Sequence, residues 1–509
     1  MPQAAGPRSC ARPWGRAVDS VPRSCAQAGD NTVDSVGELV GTRAEHRVRR
    51  TPAVDRNPLS NRSPDGQPVP SGAPSLDRQI LSLAVPALGA LVAEPLFVLV
   101  DSAVVGRLGT SQLAGLALAG TVLTTVVGLC VFLAYATTAS VARTLGAGDR
   151  RRALGAGIDG MWLALGLGVL LAAALWLAGP TVVQALGAPP DVVPHAVAYL
   201  RWSAPGLPGM LVVLAATGVL RGMLDTRTPL WVAASGAVLN AILSVVLVLG
   251  LGMGVAGSGL GTTIAQLAMG VTLAAVVARG ARAERVSMRP TRSGLLAGAR
   301  TGAPLLVRTV SLRIAILLAV WVAAGLGTVT LAGHQVVMAV WGLMAFALDA
   351  LAIAAQALVG RGLGAADIST TRAVLRRTLQ WGTGAGAVLG LVVGAAGWWI
   401  GPLFSADPDV RRAVALALVV VAVTMPVAGW VFVLDGVLIG AGDGRYLAVV
   451  GLLTLAVYLP AALAVRAWAE DGASGLAWSW AAFAGIFMLA RAVTTGLRAR
   501  GEAWMVTGG

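Results

Sequence analysis

A chain of 509 residues with 56% hydrophobic and 12% charged residues, at a mean hydropathy of +0.76, is not a soluble globular protein, which would carry about 25% charged residues. The formal net charge of +14 would point to nucleic acid in a soluble domain. Here the arginines gather in alternate loops between apolar runs near membrane-spanning length, so the charge reads as membrane topology, the partner is the lipid bilayer, and nucleic acid is excluded.

In chain order, residues 1–75 are rich in Arg, Pro, Ser, Asp and Gly, with no surviving apolar run. They predict a disordered basic cytoplasmic tail without the apolar core of a secretory signal. Twelve spans follow. In an N-lobe over 76–278 they are expected near 79–103, 113–141, 154–178, 197–222, 229–252 and 255–278. An aqueous linker, 279–296, carries Arg279, Arg282, Arg285, Arg289 and Arg292. A C-lobe over 297–497 holds spans near 297–324, 331–359, 373–400, 411–439, 446–468 and 472–495, and a short tail, 498–509, ends the chain. The loops after even-numbered spans hold most of the arginine, among them Arg150, Arg151, Arg152, Arg227, Arg372, Arg376 and Arg445. The positive-inside rule therefore puts both termini in the cytoplasm. All the basic residues are arginine, a usage expected of a GC-rich bacterial genome and hence of a bacterial plasma membrane. Cys10, Cys25 and Cys130 have no paired spacing, so neither a disulfide framework nor a thiolate metal site is expected.

The chain also matches itself at a shift of 218 residues. Pro86 meets Pro304, Leu108-Gly109-Thr110 meets Leu326-Gly327-Thr328, and Leu145-Gly146-Ala147 meets Leu363-Gly364-Ala365. The register returns at Pro208 with Pro426 and at Gly218-Val219-Leu220 with Gly436-Val437-Leu438. The predicted fold is an all-α polytopic membrane protein. Its twelve helices form two six-helix repeats related by a pseudo-two-fold axis along the membrane normal, the build of a transporter that rocks one lobe against the other.

Acids that recur between the halves (Asp149, Asp225, Asp367, Asp443) sit in the Arg-rich loops and are expected to pair with arginine at the turns. Acids without an acidic twin are the candidates for chemistry. Asp101, late in span one, faces Ala319 in the repeat, and Glu94, two helical turns earlier, faces Leu312. A charge at mid-bilayer depth costs about 2.5–3.5 kcal/mol on insertion scales, so such a group must be protonated, paired or wetted. Asp101 could instead cap the loop at Gly106, and Glu94 could be a cavity wall. Pro86 and Pro95 make span one the helix most apt to bend. In the second half His334, Gln335, Asp349, Gln356 and Asp435 are unmatched. His334 and an Asp could relay protons, or His334 could simply cap span eight or face water. Asp349, in mid-span, is the stronger candidate.

Several motifs resemble the multidrug and toxic compound extrusion (MATE) family, and most closely its DNA-damage-inducible-F (DinF) branch. They are Val100-Asp101-Ser102-Ala103-Val104-Val105-Gly106-Arg107-Leu108-Gly109 after Pro86, Leu145-Gly146-Ala147-Gly148-Asp149, and Leu220-Arg221-Gly222-Met223-Leu224-Asp225-Thr226-Arg227-Thr228-Pro229. Gly333-His334-Gln335 and Leu434-Asp435-Gly436-Val437-Leu438-Ile439-Gly440 complete the set. The resemblance covers roughly residues 76–497. It implies secondary active export of small amphipathic, cationic compounds in exchange for protons or sodium, with Asp101 on the ion path. Some family members place an Asn one turn before an Asp in span five; this chain has Asn240 and then Ser244. That departure weakens a two-carboxylate site, although either residue could hydrogen-bond to Asp101 or serve helix packing.

No cofactor, metal site or obligatory protein partner is expected, and the transporter is read as a monomer. A Walker A motif cannot exist in a chain without lysine. A membrane-embedded enzyme would need a nucleophile–base pair or metal cluster, and none is seen. A lipid-linked precursor flippase of the related exporter superfamily is the alternative. Such proteins carry two further spans and a strongly cationic cavity, whereas here Arg308 and Arg313 on span seven are the main intramembrane cations.

Overall fold

Twelve helices are long and apolar enough to cross a membrane, and the computed structural model describes them within residues 75–508. In chain order they are α1 (Leu76–Val105), α2 (Thr110–Gly146), α3 (Arg150–Ala185), α4 (Val193–Gly222), α5 (Arg227–Gly250), α6 (Val255–Ala283), α7 (Arg292–Leu326), α8 (Thr328–Gly364), α9 (Ile368–Phe404), α10 (Pro408–Gly440), α11 (Gly444–Trp468) and α12 (Ala473–Arg500). The tail expected over 1–75 lies outside the described residues, apart from Ser75, whose Oγ accepts from the Arg78 amide and caps α1. Most helices overrun the predicted spans, although α5 stops two residues short of its predicted end and α12 starts one residue late, and the non-helical connection between the halves narrows to 284–291. Polarity marks where apolar sequence stops, not where i→i−4 bonding stops, so arginine-bearing turns such as Arg279 and Arg282 stay helical. The outward faces carry exposed Leu170, Leu177, Leu391 and Trp399, as lipid contact requires.

Close helix packing repeats with the sequence. A Cβ at Gly218 would lie 2.6 Å from the Ala134 carbonyl oxygen, and one at its mate Gly436 would lie 2.3 Å from that of Ala352. Only glycine lets these backbones approach so closely. Irregular turns fall at single positions. Pro205 sits in a 3₁₀ turn within α4, the last turns of α5 (Val245–Gly250) are π-helical, and so is Ala481–Phe487 within α12. α1 runs as one helix through Pro86 and Pro95.

The two halves meet tightly at the end that bears the basic loops. A Cβ on Gly146 would fall 2.1 Å from the Arg361 carbonyl oxygen, and one on Gly364 would fall 1.9 Å from that of Arg143. Asp77 accepts from Arg377 Nε and Nη2 at 2.5 and 2.7 Å and from Trp381 Nε1 at 2.8 Å, tying α1 to α9. Residues 501–508 are not a free tail. Arg143 donates to the carbonyls of Ala441 (2.5 Å), Val506 (2.9 Å) and Gly508 (2.8 Å), and Trp504 is buried.

The recurring acids correct one expectation. Only Asp443 pairs with an arginine side chain, Arg498, at 2.7 Å. Asp149 and Asp367 cap helices by accepting from the amides of Arg152 (2.7 Å) and Thr370 (2.9 Å). Asp225 closes a turn on Thr228. Hydrogen bonds from Thr370 and Ser369 hold the Asp367 carboxyl below the ordinary carboxylate range. A short acid before a helix meets four unsatisfied amides, which are nearer than any arginine head group.

Candidate functional site

Within the first half, α1, α2, α4, α5 and α6 enclose a cavity of about 460 Å³. Its lining comes from the later part of α1 (Ala90 to Ser102) and the earlier part of α2 (Leu116 to Val127). Because α1 enters from the basic-loop end and α2 returns to it, the cavity lies toward the opposite end of the bundle. Its wall is mostly apolar, with Phe97, Met210 and Met269, and its polar groups include Glu94, Asp101, Tyr199, Thr262 and Gln266. An apolar room with a few convergent polar groups is the usual form of a small-molecule site.

Asp101 sits at the inner wall and is only 3% exposed. Its Oδ1 accepts from Asn240 Nδ2 at 3.1 Å and Ser244 Oγ at 2.5 Å, and its Oδ2 accepts from Thr262 Oγ1 at 3.3 Å. Tyr199 Oη lies 3.4 Å from Thr262 Oγ1 and extends the network to α4. The π-helical end of α5 begins directly after Ser244. The structure thus brings Asp101, Asn240 and Ser244 together, and Asp101 caps no loop. The hydroxyls of Ser244 and Thr262 can each donate or accept, and Asn240 Oδ1 is buried with no partner. The cage can therefore face a carboxylate with donors, or turn an acceptor toward a carboxylic acid, without moving a helix. Glu94 is exposed to the cavity, with Arg313 of α7 as its charged neighbour. The Arg313 guanidinium packs where a Cβ of Gly128 would stand, 2.2 Å from it.

The second-half candidates separate. His334 neither caps α8 nor faces water: it is buried in the second turn, its ring 5.6 Å from that of Trp480, with neither nitrogen hydrogen-bonded. Trp341, Phe483 and Tyr458 complete that aromatic cluster. Asp349 lies fifteen residues further along the same helix, about 22 Å away at 1.5 Å per residue, so no His–Asp relay is assembled. Gln335 points to the exposed face. Asp435 is not a free acid, because its Oδ2 accepts from Arg308 Nη2 at 2.5 Å and also from Arg491 Nη2. Gln356 donates to the Tyr135 carbonyl at 2.8 Å. Sequence reasoning missed Tyr199, Thr262 and Arg491. A lone cation in the apolar run of α12 was a readable signal for Arg491, whereas Tyr199 and Thr262 offered none. Among the described residues no cluster of His, Cys, Asp or Glu could hold a metal ion.

Comparison with known proteins agrees with the repeat. The family model described as MatE matches residues 86–246 and 304–463, starting at the two prolines that open the 218-residue register. The chain is similar to Protein DETOXIFICATION 44, chloroplastic, of Arabidopsis thaliana, at 32% identity over 81% of this chain and 82% of that one. It is similar to DNA damage-inducible protein F of Escherichia coli (strain K12), at 31% identity over 72% and 81%. In fold it resembles a MOP superfamily transporter from Pyrococcus furiosus, with a TM-score of 0.76 at 20% identity over 84% and 96%. It likewise resembles the Vibrio cholerae MATE transporter VcmN in the bent form, with a TM-score of 0.76 at 23% identity over 85% and 98%. With two copies of the family pattern on twelve helices long and apolar enough to cross a membrane, the chain belongs to the MATE family of multi-pass membrane transporters.

Proposed function

We propose that the protein is an antiporter that exports small amphipathic cations in exchange for protons, by alternating access between its two halves. The observation that carries this reading is Asp101, a nearly buried carboxylate ringed by hydroxyl and amide donors at the back of an apolar cavity. Donor hydrogens aimed at one carboxylate suit a site that gains and loses a proton. A sodium ion would need several acceptor oxygens turned toward it, and Ser244 stands where a second carboxylate would have helped. Glu94, which a ligand in the cavity reaches directly, supplies the negative charge for an organic cation. The basic-loop end is the cytoplasmic one by the positive-inside rule, so both halves close on the cytoplasmic side and the cavity belongs to the outer half. The membrane follows from the arginine-only basic composition, which suits a bacterial plasma membrane.

In the cycle, a deprotonated Asp101 coexists with substrate in the cavity. Protonation from outside removes the charge, lets the hydroxyls reorient and favours substrate release outward. The halves then exchange their open ends, and the proton leaves to the cytoplasm. A membrane potential adds about 2.3 kcal/mol per charge per 100 mV when net charge moves.

The test is efflux of a fluorescent cation from proteoliposomes under imposed pH or sodium gradients. Asp101→Asn is expected to lose pH-driven export while still binding the cation; unchanged export in that variant would overturn the role of Asp101. Glu94→Gln is expected to weaken cation binding about tenfold, roughly 1.4 kcal/mol, with pH-driven flux retained. Equal binding in Glu94→Gln and wild type would remove Glu94 from the substrate site.

A further inference from the structure

A second charged cluster stands at the seam between the halves, away from the cavity. The second half contributes Arg308 (α7), Asp349 (α8), Asp435 (α10) and Arg491 (α12), and the first half contributes Tyr135 (α2) and Arg221 (α4). Arg308 and Arg491 share one oxygen of Asp435. The Arg308 guanidinium lies over the Tyr135 ring, 5.8 Å from its centre, and Arg308 Nε is buried without a partner. Asp349 has no hydrogen bond or salt bridge among the described residues. Its electrostatic neighbours are Arg308, Asp435, Arg221, Arg491 and Tyr135. Tyr135, Arg308, Asp349, Gln356 and Asp435 line a cavity of about 20 Å³, which is room for about one water and so for passage of a proton.

The charges divide unevenly across the seam. With Asp349 ionised, the second half presents two arginines and two aspartates, a neutral group, to the single cation Arg221. With Asp349 protonated, the same group carries one net positive charge and faces Arg221 as a like charge. Like charges in a setting of low dielectric repel strongly, and parting of the halves at the seam relieves that repulsion.

We propose that Asp349 is a second proton-carrying group, and that its protonation drives the seam apart at the basic-loop end. This rests on the antiport reading and deepens it, because it predicts two protons per cycle, one at Asp101 and one at Asp349. Opening takes Arg221 and Tyr135 away with the first half, exposes Asp349 to the side that has just opened, and lets its proton leave there. Asp349 then regains its charge, and the attraction to Arg221 re-forms the closed seam. Asp435, held by two arginines, keeps its charge throughout and fixes Arg308 beside Asp349.

Two measurements test this. Spin labels on cysteines introduced at Ala147 and Ala365, both exposed at the seam, report the separation of the halves in detergent and need no transport. Separation is expected to increase as pH falls in the otherwise wild-type protein. Asp349→Asn, which fixes the uncharged state, is expected to be open at every pH, and adding Arg221→Gln to it is expected to restore closure. The second measurement is the reversal potential of transport in proteoliposomes, expected to report one proton fewer per substrate in the Asp349→Asn, Arg221→Gln double variant, whose seam can close again. A separation independent of pH and of Asp349, or an unchanged proton count, would overturn the proposal. If Asp349→Asn does not accumulate, Arg221→Gln alone is expected to keep the seam closed at low pH, and a wild-type pH response in that variant would equally overturn it. Absence of any pH-driven flux in the wild type would instead sink the antiport reading, leaving the label distances to judge the seam.

Discussion

Asp435→Asn is expected to remove most of the folded protein from the membrane, with a loss of about 3–5 kcal/mol, the usual cost of breaking a buried ion pair from one side. The reason lies in the arrangement, not in the count of bonds. Arg308 and Arg491 both donate to the same Asp435 oxygen, and the side chains of Asp435 and Arg491 are each only 6% exposed. An asparagine there keeps the shape but leaves two guanidiniums close together with no anion between them. The Arg491 side chain is only 6% and that of Arg308 only 13% exposed, so neither is well solvated, and arginine does not deprotonate. Removing one cation together with the anion should undo part of the damage, so Asp435→Asn with Arg491→Met is expected to recover folded protein relative to Asp435→Asn alone. Thermal unfolding followed by size-exclusion in detergent gives the ordering: wild type above the double variant, and the double variant above the single. An Asp435→Asn protein as stable as wild type would mean that the arginines find other partners, and the fixed-anion role given to Asp435 at the seam would fall with it.

The same residue shows where the sequence was readable and where it was not. That α10 crosses the membrane and that Asp435 has no twin could be seen from run length and from the 218-residue register. That Asp435 is bound by Arg491 could not, since the two lie on different helices and nothing local brings α12 against α10. Asp101 was legible as an unmatched acid in a span, and Asn240 and Ser244 were placed beside it by resemblance to a family pattern. Thr262 and Tyr199, which finish its cage, carry side chains that occur throughout apolar spans, and only the fold selects them. His334 was misjudged because closeness to the start of a helix says which backbone groups are free, not which face is buried. The turn acids were misjudged for the converse reason: local amides outcompeted the more distant arginines. Periodicity and symmetry therefore reveal elements and their partners in the repeat, while side-chain convergence from four or five helices stays hidden until the helices are packed.

Gly364→Val is expected to hold the two halves apart at the basic-loop end and to slow transport about 5- to 150-fold. Gly146→Val should do the same through the repeat-related contact. A Cβ at Gly364 would stand 1.9 Å from the Arg143 carbonyl oxygen, and one at Gly146 would stand 2.1 Å from that of Arg361. In both cases the obstructing atom is backbone, which cannot swing aside as a side chain could, so the helices themselves must separate. Overpacking of this kind costs about 1–3 kcal/mol. Here the cost falls only on the state in which the seam is closed, because the open state has no carbonyl in the way. A bias of that size shifts the balance between the two states about 5- to 150-fold, and a transporter that must visit both loses turnover in proportion. The spin-label pair at Ala147 and Ala365 should read a wider seam in either variant at neutral pH, with the Asp101 cage and cation binding unchanged. Gly166→Ala, where a Cβ meets no atom within 4 Å, separates this from any general cost of altering a glycine, and is expected to transport as wild type does. If Gly364→Val transports normally with an unchanged label distance, the close approach of α2 and α8 is not a moving contact, and the hinge of the cycle must lie elsewhere in the bundle.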